Sequence, residues 1–291
     1  MDDPAVGPRH PTRTLGVIGW PVAASLSPTI HEAAFRALGL DWSYVPLPVR
    51  PGDLPEAFRG LRALGFSGAN VTMPHKTEAA ALVDVRSEDA ELLRSVNTVV
   101  VTPDGLEGHN TDAPGFERVL REDLAFDPAG RSALVYGAGG AARACALALA
   151  RGGAARIAIA VRDVARAPDL ARIAAGGTLE VVAFDDAPAE DPDLIVNATP
   201  VGAAGESLPL PALGPATVVV DLLYRPAVTP LQVVARAAGA VASNGLGLLL
   251  HQAAIAFERW TGQVPPLDVM SAAAVAALAD RPDERPGERR R

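Results

Sequence analysis

Residues 132–136, Ser-Ala-Leu-Val-Tyr, run with no charged break into Gly137-Ala138-Gly139-Gly140-Ala141-Ala142, and alanine-rich sequence follows as far as Gly152-Gly153. A short apolar run bounded by glycine reads as a buried strand, and the stretch after it, rich in good helix formers, as a helix to about residue 150. In Gly137-x-Gly139-x-x-Ala142 the first glycine permits a tight turn, the second lets phosphates approach the backbone, and small Ala142 lets helix and strand pack closely. The spacing alone is a weak signal; the strand-turn-helix setting makes it a predicted dinucleotide-binding unit. Cys145, inside the helix, reads as a small buried hydrophobe.

Strand-like runs at 156–161, 179–184, 194–197 and 217–221 extend this unit, and a helix at about 113–122 precedes it. Residues 113–245 are therefore expected to form a Rossmann-type domain. Upstream, strand-like runs at 15–19, 42–47 and 68–72 alternate with helices at about 28–38 and 54–64, the first with Ser27 as N-cap and Pro28 in its opening turn. Such alternation predicts a second α/β domain over 14–112 with a mainly parallel sheet. Helices at about 246–261 and 269–278 exceed what the Rossmann sheet needs, so residues 246–280 are expected to return to the first domain. The Pro-rich segments 1–13 and 281–291 read as flexible tails.

A net charge of −8 and a single cysteine bound the function classes. They offer no basic surface for nucleic acid or anionic membrane, no disulfide framework and no thiolate metal cluster. No apolar run reaches membrane-spanning length and the start lacks a signal-peptide pattern, so a cytoplasmic, metal-independent protein is expected. The oligomeric state is left open, a homodimer included.

Of the 26 basic residues only one, Lys76, is lysine. Guanidinium keeps its proton at any working pH, whereas an amine can give one up. Composition alone leaves Lys76 equally a solvated surface cation, but its neighbourhood, Asn70-Val71-Thr72-Met73-Pro74-His75-Lys76, makes it the candidate acid/base. In that segment Met73 reads as core and His75 as pointing away from Lys76; His31, on a helix, reads as structural or surface.

At the end of the strand 156–161 the chain reads Val161-Arg162-Asp163-Val164-Ala165-Arg166. In this position an acidic residue grips a ribose 2′-hydroxyl and arginine takes a 2′-phosphate. Arg162 and Arg166, at i and i+4, favour NADP. Asp163 stands against that, as a mark of NAD, unless it caps the turn or pairs with Arg166.

Six separated motifs remain: Gly19-Trp20-Pro21-Val22-Ala23-Ala24-Ser25-Leu26-Ser27-Pro28; the Asn70 to Lys76 segment; Val96-Asn97-Thr98; Gly108-His109-Asn110-Thr111-Asp112; Asn197-Ala198-Thr199-Pro200-Val201-Gly202; and Asp221-Leu222-Leu223-Tyr224-Arg225-Pro226 with Gly245-Leu246-Gly247 and Gln252. Together, over about residues 15–278, they resemble the shikimate dehydrogenase family, which reversibly reduces 3-dehydroshikimate with NADPH on the route to chorismate and the aromatic amino acids. The resemblance implies that Ser25 and Ser27 hold the substrate carboxylate, that Lys76 is catalytic with Asp112 as its partner, and that Asn97 meets the ring hydroxyls. It further implies that Asn70, Thr72, Tyr224 and Gln252 complete the substrate lining. For the cofactor it implies Gly137, Ala138, Gly139, Gly140 and Ala141 on the turn, Arg162 and Arg166, then Thr199, Leu222 and Gly245. The chain departs from the family pattern at Ala24, where histidine is usual, at Arg94-Ser95, where Gly-Ala is usual, at Val161 and Asp163, where asparagine and threonine are common and which count against NADP, and at Leu248, where methionine is common.

Shikimate, a small ring with one carboxylate and three hydroxyls, needs several fixed donors and acceptors and little apolar surface. A lysine beside a carboxylate can take the carbinol proton as hydride leaves, or return it in reverse. As plain alternatives, Ser27 is only a cap, Asn110 and Thr111 shape the turn presenting Asp112, and Tyr224 and Gln252 are packing residues. The rival functions are an NAD-dependent quinate/shikimate or aminoshikimate dehydrogenase and, from another class, an NADP-binding regulatory module without turnover, which would not need Lys76 with Asp112.

Overall fold

Two six-stranded sheets divide the chain. The computed structural model describes residues 13–166, 173, 178–189 and 191–280. The expected tails lie outside these residues, except for Arg13, which opens the first strand, and so does the side chain of Arg166.

The first sheet contains β1 (Arg13–Gly19), β2 (Trp42–Pro48), β3 (Gly68–Val71), β4 (Val85–Arg86), β5 (Thr98–Thr102) and β6 (Gly105–His109) in the order β2-β1-β3-β5-β6-β4. β1 runs parallel to β2 and β3, but β5 is antiparallel to both β3 and β6. β4 is parallel to β6, so the sheet is mainly parallel as expected; β5 alone runs against its neighbours, because Pro103-Asp104 folds it tightly onto β6 and a tight hairpin joins antiparallel strands only. Helices α1 (Ser27–Ala37), α2 (Leu54–Ala63), α3 (Lys76–Leu82) and α4 (Glu88–Leu93) accompany this sheet.

Ser27 is the first helical residue of α1 and does not cap it; the cap position is Leu26, and Ser25 Oγ instead accepts the Ser27 backbone N–H at 3.2 Å. Met73 also departs from expectation. It is 76% exposed, since the chain turns through Pro74 at the end of β3 and carries the side chain off the sheet.

Helix α5 (Asp112–Arg118) crosses to the second sheet and continues into a π-helical turn, Val119–Asp123. That sheet holds β7 (Ser132–Tyr136), β8 (Arg156–Val161), β9 (Thr178–Ala183), β10 (Leu194–Asn197), β11 (Val218–Asp221) and β12 (Val241–Ser243), all parallel, in the order β12-β11-β10-β7-β8-β9. This is the doubly wound order of a Rossmann-type sheet, and its strand order reverses between β7 and β10, where such sheets bind ligands. Helix α6 (Gly140–Arg151) follows β7, and α7 (Pro230–Ala237) precedes β12.

Period-two alternation assigns each strand residue to a face. In β7, Ala133 and Val135 pack with Phe116 of α5 and Leu147 of α6, while Leu134 and Tyr136 pack with Leu231 and Ala235 of α7. In β1, Leu15 and Val17 face α1 and the last two helices, α8 (Leu246–Thr261) and α9 (Leu267–Ala279), whereas Ile18 faces Leu54 and Phe58. Phe257 and Trp260 of α8 and Met270 of α9 fill this first core beside Ile30 and Phe35. Trp260 Nε1 also donates to the Val99 carbonyl at 3.0 Å. Chain from beyond the second sheet therefore completes the first.

Candidate active site

Lys76 opens α3 and Asp112 opens α5, and the fold brings them together: Nζ donates to Asp112 Oδ2 at 2.6 Å. The carboxylate is buried while the amine keeps 24% of its side-chain surface exposed, so the ion pair is sheltered on the acid side and reachable on the base side. Such a pair holds the lysine in one place and leaves its other protons for a substrate. His75, immediately before, is buried and turned away, with Nε2 2.8 Å from the Val49 carbonyl.

A buried hydrogen-bond net fixes Asp112. Its backbone N–H donates to Asn110 Oδ1 at 3.0 Å, and Asn110 Nδ2 donates to the Ser95 carbonyl at 2.9 Å. Asn97 Nδ2 donates to Asp112 Oδ1 at 2.8 Å and to Thr111 Oγ1 at 3.0 Å. Asn70, at the end of β3, donates to the Asn97 carbonyl and to Thr98 Oγ1, both at 3.1 Å, and accepts from the Tyr44 hydroxyl at 2.6 Å. Asn70 and Asn97 therefore spend their N–H groups on the protein; Asn97 Oδ1 also accepts from the Thr98 hydroxyl at 3.0 Å and the Thr111 N–H at 2.8 Å, so acceptor capacity for a ligand remains on Asn70 Oδ1. Thr72, whose backbone N–H donates to the Ile18 carbonyl at 2.8 Å, lies between Asn70 and Lys76 on the same turn.

Ser25 lies on the loop entering α1 and Ser27 is the helix's first residue, and a cleft of about 560 Å³ runs from Ser25 past Pro46 to Arg225 and α9. Tyr224, beside Arg225, packs against the first core although it follows β11, and burial raises its phenol above the usual range. Gln252 donates to the Leu249 carbonyl at 2.8 Å within α8. Its backbone lies so close to α5 that a Cβ on Gly115 would come within 3.0 Å of its nitrogen, which sets Gln252 beside the helix that Asp112 begins.

The glycine turn sits where the order of the second sheet reverses. Gly137 has φ 106°, a region that side chains disfavour. A Cβ on Gly139 would meet nothing within 4 Å, so the backbone there is open to a ligand and its N–H groups lead into α6. A Cβ on Gly140 would lie 3.4 Å from Ser95 Oγ and 3.9 Å from Lys76 Cδ. The turn therefore reaches the lysine, with Ala138 and Ala141 flanking it. Thr199, across from Gly137, is held by Asn197 Oδ1 through both its N–H and its hydroxyl, at 3.0 and 2.7 Å. Leu222 packs into the second core, and Gly245 donates to the Leu223 carbonyl at 3.0 Å. Arg162 is exposed after β8, while Asp163 Oδ1 accepts the Ala165 N–H at 3.1 Å and so caps the turn. Cys145 is fully buried, which pushes its thiol up and leaves it inert.

Sequence reasoning overlooked Tyr44 and gave Thr98 no role of its own. The signal at Tyr44 was a phenol in a half-buried strand, since a buried tyrosine hydroxyl usually finds a partner.

A doubly wound sheet with a glycine turn at its switch point, facing a lysine–carboxylate pair on a second α/β unit, defines a two-domain dinucleotide-dependent oxidoreductase. Residues 17–99 match the shikimate dehydrogenase substrate binding domain, and residues 245–275 the shikimate 5'-dehydrogenase C-terminal domain. The chain belongs to the shikimate dehydrogenase family. It is 48% identical to the shikimate dehydrogenase (NADP(+)) of Geobacter metallireducens, over 92% of this chain and 97% of that one. Among solved structures it superposes on Thermus thermophilus shikimate 5-dehydrogenase in complex with NADP(H) and shikimate, with a TM-score of 0.82 and 38% identity over 91% and 100% of the two chains. Quinate dehydrogenase from Corynebacterium glutamicum in complex with NAD gives 0.83 and 34% over 91% and 99%. Among the described residues no helix is long and apolar enough to cross a membrane.

Proposed function

We propose that this chain interconverts shikimate and 3-dehydroshikimate with NADP, with Lys76 and Asp112 as the reacting pair. The observation that carries the reading is the 2.6 Å ion pair lying against Gly140 of the dinucleotide turn. Residues 14–112 with 246–280 form the substrate domain, and 113–245 the cofactor domain. The open backbone at Gly139 suits a pyrophosphate, Arg162 and Arg166 suit a 2′-phosphate, and Asp163, spent on the Ala165 N–H, is a poor match for a free ribose hydroxyl.

When bound there, NADP supplies the hydride acceptor or donor. Ser25 and Ser27 hold the carboxylate, and Thr72, Tyr224, Gln252, Asn70 and Asn97 line the ring. In the oxidative direction the carbinol proton passes to the Lys76 amine as the hydride leaves; in reverse the ammonium returns it to the forming alcohol. Asp112 keeps the amine on station and balances its charge. A neutral-pH biosynthetic step of this kind, with the lone thiol reduced and buried, suits the cytoplasm.

The test mixes purified protein with shikimate, then quinate, and NADP or NAD, and follows reduced nicotinamide by absorbance. Turnover of shikimate with NADP well above NAD is expected. No signal with either cofactor would favour a regulatory module, and turnover with NAD alone would overturn the choice of NADP.

A further inference from the structure

Hydrogen bonds run in one direction from β2 to the reacting carboxylate. The Tyr44 hydroxyl donates to Asn70 Oδ1 at 2.6 Å, Asn70 Nδ2 to Thr98 Oγ1 at 3.1 Å, Thr98 Oγ1 to Asn97 Oδ1 at 3.0 Å, and Asn97 Nδ2 to Asp112 Oδ1 at 2.8 Å. On the far side of the carboxylate stands Lys76. All four links are buried. Neither amide can be turned over. The nitrogen of Asn70 also faces the Asn97 carbonyl, which only accepts, and the oxygen of Asn97 faces the Thr111 backbone N–H at 2.8 Å, which only donates.

We infer that Tyr44 is a positioning residue for catalysis, the origin of a four-link donor chain that sets the orientation of Asp112 and, through it, of Lys76. The inference rests on Lys76 and Asp112 being the reacting pair. Tyr44 is suited to be the origin because its ring is clamped. His31 stacks on it at 4.4 Å and 13°, and Trp260 lies 6.2 Å away at a tilt. His31 is wholly buried and burial lowers its pKa to about 3, so it stays neutral and puts no competing charge beside the phenol. Without the hydroxyl, Asn70 keeps its sense through the Asn97 carbonyl and Asn97 through the Thr111 N–H, but Asn70 Oδ1 is left a buried acceptor without its donor, each later link loses the polarisation passed down the chain, and the Asn97 donation that holds Asp112 Oδ1 slackens.

Steady-state kinetics of Tyr44→Phe, Thr98→Val, Thr98→Ser and the Tyr44→Phe/Thr98→Val double variant test this. Tyr44→Phe and Thr98→Val are each expected to lower kcat for shikimate oxidation roughly tenfold, the scale of one hydrogen bond to a charged group, with the KM for NADP held within about twofold. Thr98→Ser, which keeps the hydroxyl, is expected to retain most of the rate. The double variant is expected to fall little below the worse single variant, because links in series break only once. Wild-type kcat in Tyr44→Phe, losses that multiply in the double variant, or Thr98→Ser as slow as Thr98→Val would each overturn the inference. Should Tyr44→Phe fail to fold, the two Thr98 variants decide. A wild-type chain that turns over no shikimate sinks the proposed function and this inference with it; an active wild type with an unaltered Tyr44→Phe sinks the inference alone.

Discussion

At the ends of their central strands the two sheets present opposite kinds of surface. The first gathers Asn70, Asn97, Thr98, Asn110, Thr111 and Asp112, all buried and bonded to one another. The second presents a turn of glycines and alanines, with a buried amide–carboxylate pair, Asn197 and Asp221 at 2.9 Å, shaping the neighbouring loop. A polyhydroxylated ring must be met by donors and acceptors in fixed directions, which only side chains at chosen positions supply. A pyrophosphate is satisfied by the N–H groups at any open helix start. The first site therefore carries the larger cost of buried polarity, while the second confines its buried polar groups to Asn197, Asp221, Thr229 and Gln232 beside the glycine turn, among the described residues near the site.

The contrast is broken most directly at Lys76. Lys76→Arg keeps the charge but removes the titratable amine; kcat is expected to fall about 10²–10⁴-fold with NADP binding nearly intact, read by steady-state kinetics and cofactor titration. If NADP affinity collapsed equally, the division between side-chain and backbone recognition would be wrong. Next in size, Phe257→Ala empties the first core from α8 and should cost about 3–5 kcal/mol. All three tryptophans, Trp20, Trp42 and Trp260, lie in the first sheet or the elements packed on it, so their fluorescence is expected to report this loss in a thermal or denaturant melt.

Arg162→Ala addresses the one place where the second site does use side chains. Discrimination between NADP and NAD should drop roughly tenfold while turnover with saturating NADP persists; unchanged discrimination would remove Arg162 from 2′-phosphate recognition. A further measurement separates the halves by acid. The unfolded chain protonates His31 near its ordinary value of 6.5, but folded His31 accepts a proton only near 3, and His109 of β6 is likewise lowered to about 4. Stability from His31 is thus whole above 6.5 and lost as pH falls from there toward 3, by up to about 1.4 kcal/mol per pH unit. The tryptophan-reported melt should move down with acid, and His31→Gln should flatten that slope.

Local patterns in the sequence conveyed the second half better than the first. The β7–turn–α6 unit was legible because strand, turn and helix are contiguous and each obeys its own rule. Lys76 stood out by residue type, but its carboxylate lies 36 positions away, and no periodicity joins a turn after β3 to the start of α5; only the family resemblance named Asp112. The hairpin β5–β6 escaped notice although Pro103-Asp104-Gly105 is a turn signal, because its strands are five residues each and β6, Gly-Leu-Glu-Gly-His, carries one apolar residue outside its glycines. Met73 misled because an apolar residue after a strand looks like core until the chain turns at Pro74. The Tyr44–Asn70 bond spans 26 residues between strands that are not adjacent in the sheet, and pairings of that range come from topology alone.

Leu15, Ile30 and Phe35 find their packing partners on α8 and α9, which a ribosome delivers after the whole second sheet. During synthesis the earliest-made sheet must wait, one apolar flank bare, while the whole nucleotide-binding unit emerges and can already close on itself. Translation order and folding order run opposite ways, so a released chain truncated after residue 245 should hold a finished second sheet and an unfinished, chaperone-accessible first one.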